Sequence, residues 1–310
     1  MQPAQPSDWQ ERDGLATNSI PSRTAKGLLA NAAVRRFFRS LRRSPSARVG
    51  ASIVVVLVLV AVFAPLLAPY DPLAVKASVA LKPPSAEHWL GTDALGRDLL
   101  SRIIYGARIS LKLGLIAVSI AAVSGTFFGL LAGFYQGWLD TVIVAAVDVL
   151  LAFPNILLAL AITFALGINL TNLMIAVGIA AIPSYVRVVR STVLTIKENP
   201  YIDAARVSGC TNWRIILRHI LPNAFGPIIV LSTLGVATAI LSGSALSFLG
   251  LGTTPPTPEW GVMLAEGRSF MLDAWWVTTF PGVAIMFTVL SINLLGDGLR
   301  DALDPRLRSR

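Results

Sequence analysis

The chain has 310 residues, of which 54% are hydrophobic and only 14% are charged, and its formal net charge is +9. Its mean hydropathy of +0.67 is far above that of a soluble domain of this size, which excludes an ordinary soluble protein and predicts several membrane spans. The basic residues cluster beside the apolar runs, so the positive charge does not indicate a nucleic-acid partner.

The apolar runs predict an all-α membrane protein with six transmembrane helices, because about 20 apolar residues cross a hydrocarbon core of roughly 30 Å. In chain order the runs are centred on residues 51–69, 113–134, 141–167, 173–186, 224–251 and 274–296. The uncharged stretch 149–186 is too long for one span, and we divide it at "GINLTN" (167–172), which favours a turn. A re-entrant segment is the alternative there, and Pro154 and Pro183 are predicted to kink their helices.

The runs divide the chain into tails, loops and a membrane core. About fifty polar or mixed residues precede the first run, too long a leader for a signal peptide, so we interpret that run as a retained span. The predicted parts are an N-terminal tail at 1–45 (disordered to about residue 25), a first transmembrane helix at 46–70, an outer loop at 71–108, a membrane core at 109–298 with a basic loop at 190–222 and an outer loop at 252–273, and a C-terminal tail at 299–310.

Basic residues predict the orientation. Nine Lys and Arg residues precede Val49 and four follow the last run. Six more lie in or next to the basic loop, namely Arg187, Arg190, Lys197, Arg206, Arg214 and Arg218. With six spans, all three groups lie on one side, and the positive-inside rule makes that side the cytoplasm, with both termini. The six Lys and Arg residues between Tyr70 and Lys112 oppose this orientation.

The basic loop contains the stretch "NPYIDAARVSGCTNWRIILRHILPN", residues 199–223, called here segment 199–223. Its charged residues would each cost about 2.5 to 3.5 kcal/mol at membrane depth, so it is predicted to lie in water or at the interface. Asn199 and Pro200 are typical of a helix start, and Gly209 is typical of a left-handed helix end. A second helix is predicted to follow and to end at Pro222.

The second helix is amphipathic, which predicts one face that packs and another that meets a polar partner. The predicted packing residues are Trp213, Ile216, Leu217, Ile220 and Leu221. Arg214 and Arg218 lie one turn apart on the other face. The alternative is a pair of helices that lie on anionic lipid.

The spacing in segment 199–223 resembles the "EAA, three residues, G, nine residues, I, x, L, P" signature of membrane subunits of binding-protein-dependent ABC importers. The matching positions are Asp203, Ala204, Ala205, Gly209, Leu221 and Pro222. Asp203 stands where Glu is usual, and His219 stands where Ile is usual, with Ile220 next to it. Stretches 88–111, 246–261 and 293–308 extend the likeness, and over roughly 45–308 the chain resembles the C-type permease subunit of dipeptide and oligopeptide importers.

The resemblance implies a type I ABC importer permease fold with cytoplasmic coupling helices in a bacterial inner membrane. It implies as partners a homologous B-type permease, two cytoplasmic ATPases that bind ATP and Mg²⁺, an extracytoplasmic peptide-binding protein, and membrane lipid. The implied ATPase-coupling residues are Asp203, Ala204, Ala205, Gly209, Arg214, Arg218, Leu221 and Pro222. No catalytic constellation or metal cluster is evident in the sequence, so the chain itself is expected to be no enzyme and to bind no cofactor. Dipeptides, longer peptides, glutathione, nickel complexes and haem remain possible substrates.

The outer loops carry charged and aromatic residues with two interpretations. "GTDALGRD" (91–98) has the glycine spacing of a phosphate-binding loop, but it lacks the Lys and Ser/Thr that such a loop needs. Asp93, Arg97, Asp98 and Arg102 are expected to pair with each other or with a binding protein. Glu259 and Trp260 are further docking candidates, and Trp275 and Trp276 are predicted interface anchors.

Two features concern a passage through the membrane. Asp148, in or near the third run, is a pathway candidate, with an ion pair near the cytoplasmic interface as the alternative. A proton-coupled secondary carrier would depend on this residue. The glycines at 125, 129, 133 and 137 predict close helix packing, and lining of a substrate path is the alternative. A scaffold protein without a passage also remains open.

Overall fold

The computed structural model describes residues 45–303, and the predicted tails lie outside this range except for residues 45 and 299–303. Regular structure in the range is helical, apart from one bridge between Thr92 and Asp98. The α-helices are α1 (Pro45–Val62), α2 (Ala64–Leu67), α3 (Leu99–Tyr135), α4 (Gly137–Leu151), α5 (Asn155–Leu166), α6 (Leu170–Lys197), α7 (Pro200–Val207), α8 (Asn212–Ile215), α9 (Leu221–Phe248), α10 (Trp260–Gly267) and α11 (Trp276–Leu303). A π-helical turn, Ile216–Ile220, joins α8 to α9 without a break.

Five of these helices are long and apolar enough to cross a membrane: α1, α3, α6, the continuous α8–α9 rod and α11. Helices α4 and α5 meet this test only together, and they are bent by 93° at the break before Asn155. Pro154 stands at that break, where it cannot donate the hydrogen bond that would continue α4. Five of the six predicted spans are therefore confirmed, and the bent pair α4–α5 is either the sixth, as a broken span, or the re-entrant segment given as the alternative. The predicted division at "GINLTN" is also confirmed, since Asn169 caps α6 and accepts from the Asn172 amide at 2.8 Å.

Helices α3 and α6 form the most extensive contact of the bundle, and glycines permit it. Gly125 lies against Tyr185, Gly129 against Val189 and Gly133 against Val193, so the two helices run parallel. A Cβ at Gly129 or Gly133 would come within 2.7 Å of the facing valine Cβ. The predicted close packing is confirmed for these three glycines. Gly137 is not part of the ridge, because its φ of +62° belongs to the turn into α4.

The directions of the packed helices define two ends of the bundle. Gly114 of α3 packs on Ile240 and Gly235 of α9 packs on Val118, so α9 runs antiparallel to α3. Gly298 of α11 packs on Ala47, which places the start of α1 beside the end of α11. We call the end that holds Lys197 and segment 199–223 the basic end. We call the opposite end, with residues 68–98 and 249–275, the cap end.

Candidate functional site

Helix α7 begins as its sequence predicts. Asn199 occupies the N-cap position, Pro200 is the first helical residue and Asp203 lies in the first turn, where the helix dipole favours a carboxylate. The Asn199 side chain does not cap α7; its amide donates to the Thr195 and Ile196 carbonyls at 3.2 and 2.9 Å. This residue therefore closes α6 and starts α7, which fixes the corner between them.

Gly209 ends α7 in a Schellman motif. The Cys210 amide donates to the Ala205 carbonyl at 3.1 Å, and the Gly209 amide donates to the Arg206 carbonyl at 2.9 Å. Gly209 has a φ of +78°, yet a Cβ there would meet no atom within 4 Å. Backbone conformation, and not lack of space, is what requires glycine here.

One side of segment 199–223 is packed onto the ends of α3, α6 and α9. Ile202, Ile215, Ile216 and Ile220 are at most 1% exposed. They share a cluster with Leu130, Phe134, Val189, Val193, Ala224 and Ile228. Burial of these side chains anchors the segment to the bundle through the hydrophobic effect. Ile220, the neighbour of His219, is among these buried residues and supplies packing at this point of the signature.

The other side of the segment is exposed and mixes apolar and basic residues. Val207 is 91% exposed, Trp213 is 53% and Leu217 is 44%. Arg214 and Arg218 are exposed beside them. The prediction that Trp213 and Leu217 pack is wrong, whereas the prediction for Ile216 is confirmed. Ile215 packs beside Ile216 because the π turn changes the helical register. We call Val207, Trp213, Arg214, Leu217 and Arg218 the exposed face.

Pro222 does not end the second helix, contrary to the prediction. The Leu221 amide donates to the Ile216 carbonyl five residues back, and the helix continues through Pro222 to Phe248. A proline is tolerated because the π turn ends just before it, within the first turn of α9. The segment is therefore joined to a membrane-spanning helix without a flexible linker.

The charged residues of the "GTDALGRD" loop form a buried cluster at the cap end. Arg97 Nε donates to Asp93 Oδ2 at 2.6 Å, and Arg102 donates to the same oxygen. Both guanidinium groups also donate to Glu266 of α10, Arg97 at 3.0 Å and Arg102 at 2.7 Å. The predicted pairing is confirmed for Asp93, Arg97 and Arg102. Glu266 is a member that the sequence did not indicate.

Asp98 holds the start of α3 rather than a partner protein. Its carboxylate accepts from the Ser101 amide at 2.8 Å and the Ser101 hydroxyl at 2.7 Å. His88 Nδ1 lies 2.9 Å from the other carboxylate oxygen. Asp93, Arg97 and Asp98 are at most 4% exposed, so the docking prediction is corrected: their side chains are not part of an outer contact surface.

Glu259 and Trp260 are buried as well, and the same correction applies to them. Glu259 is 0% exposed and caps α10, accepting from the Gly261 and Val262 amides at 3.0 and 2.9 Å. Burial raises the pKa of the Glu259 carboxyl, although hydrogen bonds from these amides oppose the rise. The Trp260 indole donates to the Ile103 carbonyl at 3.0 Å and so ties α10 to α3.

Of the two predicted interface anchors, only Trp275 has the exposure that this role requires, at 52%. Trp276 is 7% exposed, and its indole donates to the Thr92 carbonyl at 3.1 Å. Its role is to close the cap end, because this bond joins α11 to the loop before α3.

Two ion pairs join α4 to α6 near the basic end. Arg187 Nη2 lies 2.9 Å from Asp148 Oδ1, and both side chains are more than half exposed. Arg190 makes two bonds of 2.6 Å to Asp140, and this pair is more buried. The alternative prediction for Asp148, an ion pair with a basic residue, is confirmed.

A cavity of about 170 Å³ lies among α3, α5, α6 and α9. Its wall is mostly apolar, with polar groups at Asn155, Ser184, Tyr185, Thr238 and Ser242. The Tyr185 hydroxyl lies 3.4 Å from the Ser232 hydroxyl. The space is a candidate binding pocket because convergent polar groups interrupt an apolar lining.

Comparison with protein families decides the class of the chain. Residues 125–309, which contain the whole of segment 199–223, match the family described as binding-protein-dependent transport system inner membrane component. The chain belongs to this family. A second family, described as the N-terminal transmembrane domain of oligopeptide transport permease C, matches residues 33–84 of the chain.

Relatives of this inner membrane component extend over nearly its whole length. The dipeptide transport system permease protein DppC of Alkalihalophilus pseudofirmus is 50% identical over 275 residues, 89% of this chain and 90% of the relative. The glutathione transport system permease protein GsiD of Escherichia coli O6:K15:H31 is 49% identical over 273 residues, 88% and 90% of the two chains. The inward-facing MetNI methionine ABC transporter shares the fold, with a TM-score of 0.54 and 19% identity over 66% of this chain and 98% of the other. The chain therefore has the fold of an ABC importer permease.

Proposed function

We propose that this chain is one permease half of an ATP-driven importer of dipeptides and short oligopeptides, and that its exposed face docks on a cytoplasmic ATPase. The observation that carries the proposal is that segment 199–223 has one side buried against the bundle and one side exposed. Its isoleucines fix it to the bundle, while its exposed face presents Trp213 together with Arg214 and Arg218. Trp and Arg are among the residue types that dominate binding at protein interfaces.

The mechanism follows from the connection to the membrane helices. ATP-driven closure of an ATPase dimer would move α7 and α8, and the π turn carries that displacement into α9 without a linker. Asp203, Ala204, Ala205 and Gly209 shape the contact, and Leu221 with Pro222 form the junction to the span. ATP binding would shift the population between inward-facing and outward-facing states, because the ATPase holds the two states with different affinity.

The remaining partners follow from the family and its relatives. We infer a homologous B-type permease as the other half of the pore, a second ATPase, and an extracytoplasmic peptide-binding protein in an inner membrane with both termini of this chain cytoplasmic. ATP and Mg²⁺ would be bound by the ATPases, and this chain would carry no catalytic group. Docking of the binding protein would use exposed cap-end residues, since the charged cluster there is buried.

A second candidate substrate is glutathione, which is itself a tripeptide. The observation in its favour is the 49% identity to the Escherichia coli glutathione permease, nearly equal to the 50% identity to the dipeptide permease. A shared permease scaffold fits either ligand, because the binding protein selects what reaches the pore.

Uptake by the reconstituted importer tests this function. Proteoliposomes with this chain, its partner permease, both ATPases and the loaded binding protein should accumulate labelled dipeptide only with ATP, and glutathione should compete weakly. Preferential glutathione uptake would replace the substrate assignment. Uptake without ATP, driven by a proton gradient and abolished by Asp148→Asn, would establish a secondary carrier instead.

The docking part has its own test. Arg214→Glu with Arg218→Glu should abolish co-purification of the ATPase, because close like charges disrupt a complementary surface. Arg48→Ala, which removes an exposed charge at the same end but outside the segment, is the matched control and should retain the ATPase. Equal retention by both variants would refute docking at the exposed face.

A further inference from the structure

The Arg187–Asp148 pair is unusual for its exposure inside a membrane protein. Side-chain exposure is 64% for Arg187 and 56% for Asp148, compared with 32% and 16% for Arg190 and Asp140. It holds one hydrogen bond of 2.9 Å, while the neighbouring pair holds two. The guanidinium and the carboxylate thus keep further donors and an acceptor available to a ligand.

The position of the pair excludes contact with lipid tails. Helix α6 has no charged residue from Leu170 to Val186, and these 17 residues span about 25 Å. Arg187 follows directly, at the edge of a hydrocarbon core of roughly 30 Å. Ionised groups at such depth face water or protein, because exposure to lipid is costly. The pair therefore belongs on a wet surface of the bundle.

Residues close to the pair along the chain line the cavity. Ser184 lines the cavity on α6, and Arg187 lies three residues further along the same helix face. Asn155 lines it at the start of α5, and Asp148 lies on α4 just before the break that leads into α5. The cavity of about 170 Å³ has room for an amino-acid side chain, not for a whole peptide.

We propose that the Arg187–Asp148 pair and the adjoining cavity form a subsite for a zwitterionic peptide in transit. Arg187 would bind the terminal carboxylate, Asp148 the terminal ammonium, and the cavity a side chain. A ligand with one charge would meet attraction from one member and repulsion from the other, whereas a zwitterion is attracted by both. This inference rests on the proposed function as a peptide importer.

A protection experiment tests the subsite without the binding protein, which would otherwise impose its own selectivity. Cys210 is the single cysteine of the chain, so Cys210→Ser with Ser184→Cys leaves one thiol in the cavity wall. The whole permease–ATPase complex, without nucleotide, is placed in phosphatidylglycerol vesicles and labelled with N-ethylmaleimide. Alanylalanine, whose methyl side chain can enter the cavity, should slow labelling of residue 184, and uncharged N-acetylalaninamide should not.

Variants then distinguish peptide binding by the Arg187–Asp148 pair from a purely structural role in which the pair only holds α4 against α6. Asp148→Asn and Arg187→Gln should each raise the alanylalanine concentration for half-protection by about ten-fold or more, the usual effect of losing a hydrogen bond to a charged group. Asp140→Asn, in the neighbouring pair, should lower the yield of folded complex and leave half-protection in that complex unchanged. A purely structural role predicts that variants of both pairs lower the yield of folded complex and leave the concentration for half-protection unchanged.

Three results would overturn the proposal. The first is equal protection by alanylalanine and N-acetylalaninamide, and the second is unchanged half-protection in Asp148→Asn. The third is protection by added phosphatidylethanolamine alone, which would assign the pair to a lipid headgroup. ATP-driven uptake by the wild type is measured separately. If the importer takes up peptide but the peptide does not slow labelling of residue 184, the subsite is rejected and the proposed function stands.

Discussion

The two ends of the bundle use charged residues in opposite ways. At the cap end Asp93, Arg97 and Arg102 are at most 4% exposed, and each is bonded to another member of one cluster. At the basic end Arg214 and Arg218 are exposed on a segment whose isoleucines are buried. The comparison teaches that a charged motif in a loop indicates a contact surface only when its side chains stay outside the fold.

The largest expected effect is at the cap end. Asp93→Asn removes the carboxylate that two buried arginines share, which should cost about 3 to 5 kcal/mol in the free energy of unfolding. Thermal unfolding of the purified complex measures this change. Glu87→Gln, an exposed charge of the same loop, is the control and should stay within about 0.5 kcal/mol of wild type. Similar losses from both variants would show that the cluster is not a special buried network.

A smaller effect is expected where Glu259 caps α10. Glu259→Ala removes the acceptor for two α10 amides and should cost up to about 2 kcal/mol. Glu259→Gln keeps an acceptor and should cost less. Thermal unfolding of both variants beside wild type gives the ranking, and the reverse ranking would contradict the capping role.

The same residue gives a pH prediction. Burial raises the pKa of Glu259 above its ordinary value of 4.5, so the folded state holds this proton more tightly than the unfolded chain. Its contribution to stability is therefore full below pH 4.5 and is lost as the pH rises through the folded-state pKa. In Glu259→Gln, the stability measured as a function of pH should no longer show this decline. A profile unchanged from wild type would contradict the burial argument.

Next in size is the turn between α7 and α8. Gly209→Ala places a side chain at a φ of +78° and should cost about 1 to 2 kcal/mol locally. Faster hydrogen exchange of the α7 amides and fewer peptides moved per ATP should follow. Gly226→Ala is matched, since its Cβ would also meet no atom within 4 Å and its backbone is helical. An equal response of the two variants would show that the left-handed turn has no special role.

The contrast between the ends also explains what the sequence could and could not predict. Helix starts at Pro200 and Asn169, the stop at Gly209 and the glycine packing of α3 depend on local geometry, so neighbouring residues suffice to predict them. Burial of Arg97 involves its bond to Glu266, 169 positions away, and no local pattern carries that information. The exposed Trp213 was mispredicted because a π turn, absent from regular periodicity, shifts the helical faces. The signature spacing nevertheless located the segment, because it records chain positions and not burial.

The most direct test of the account compares one exposed residue at each end. Val207→Cys and Leu272→Cys, each with Cys210→Ser, place single thiols in this chain at residues that are 91% and 98% exposed. Maleimide labelling is followed with and without the ATPase subunits, and without the binding protein. The account predicts that the ATPase protects residue 207 and leaves residue 272 reactive. Equal labelling at residue 207 with and without the ATPase would contradict docking at the exposed face.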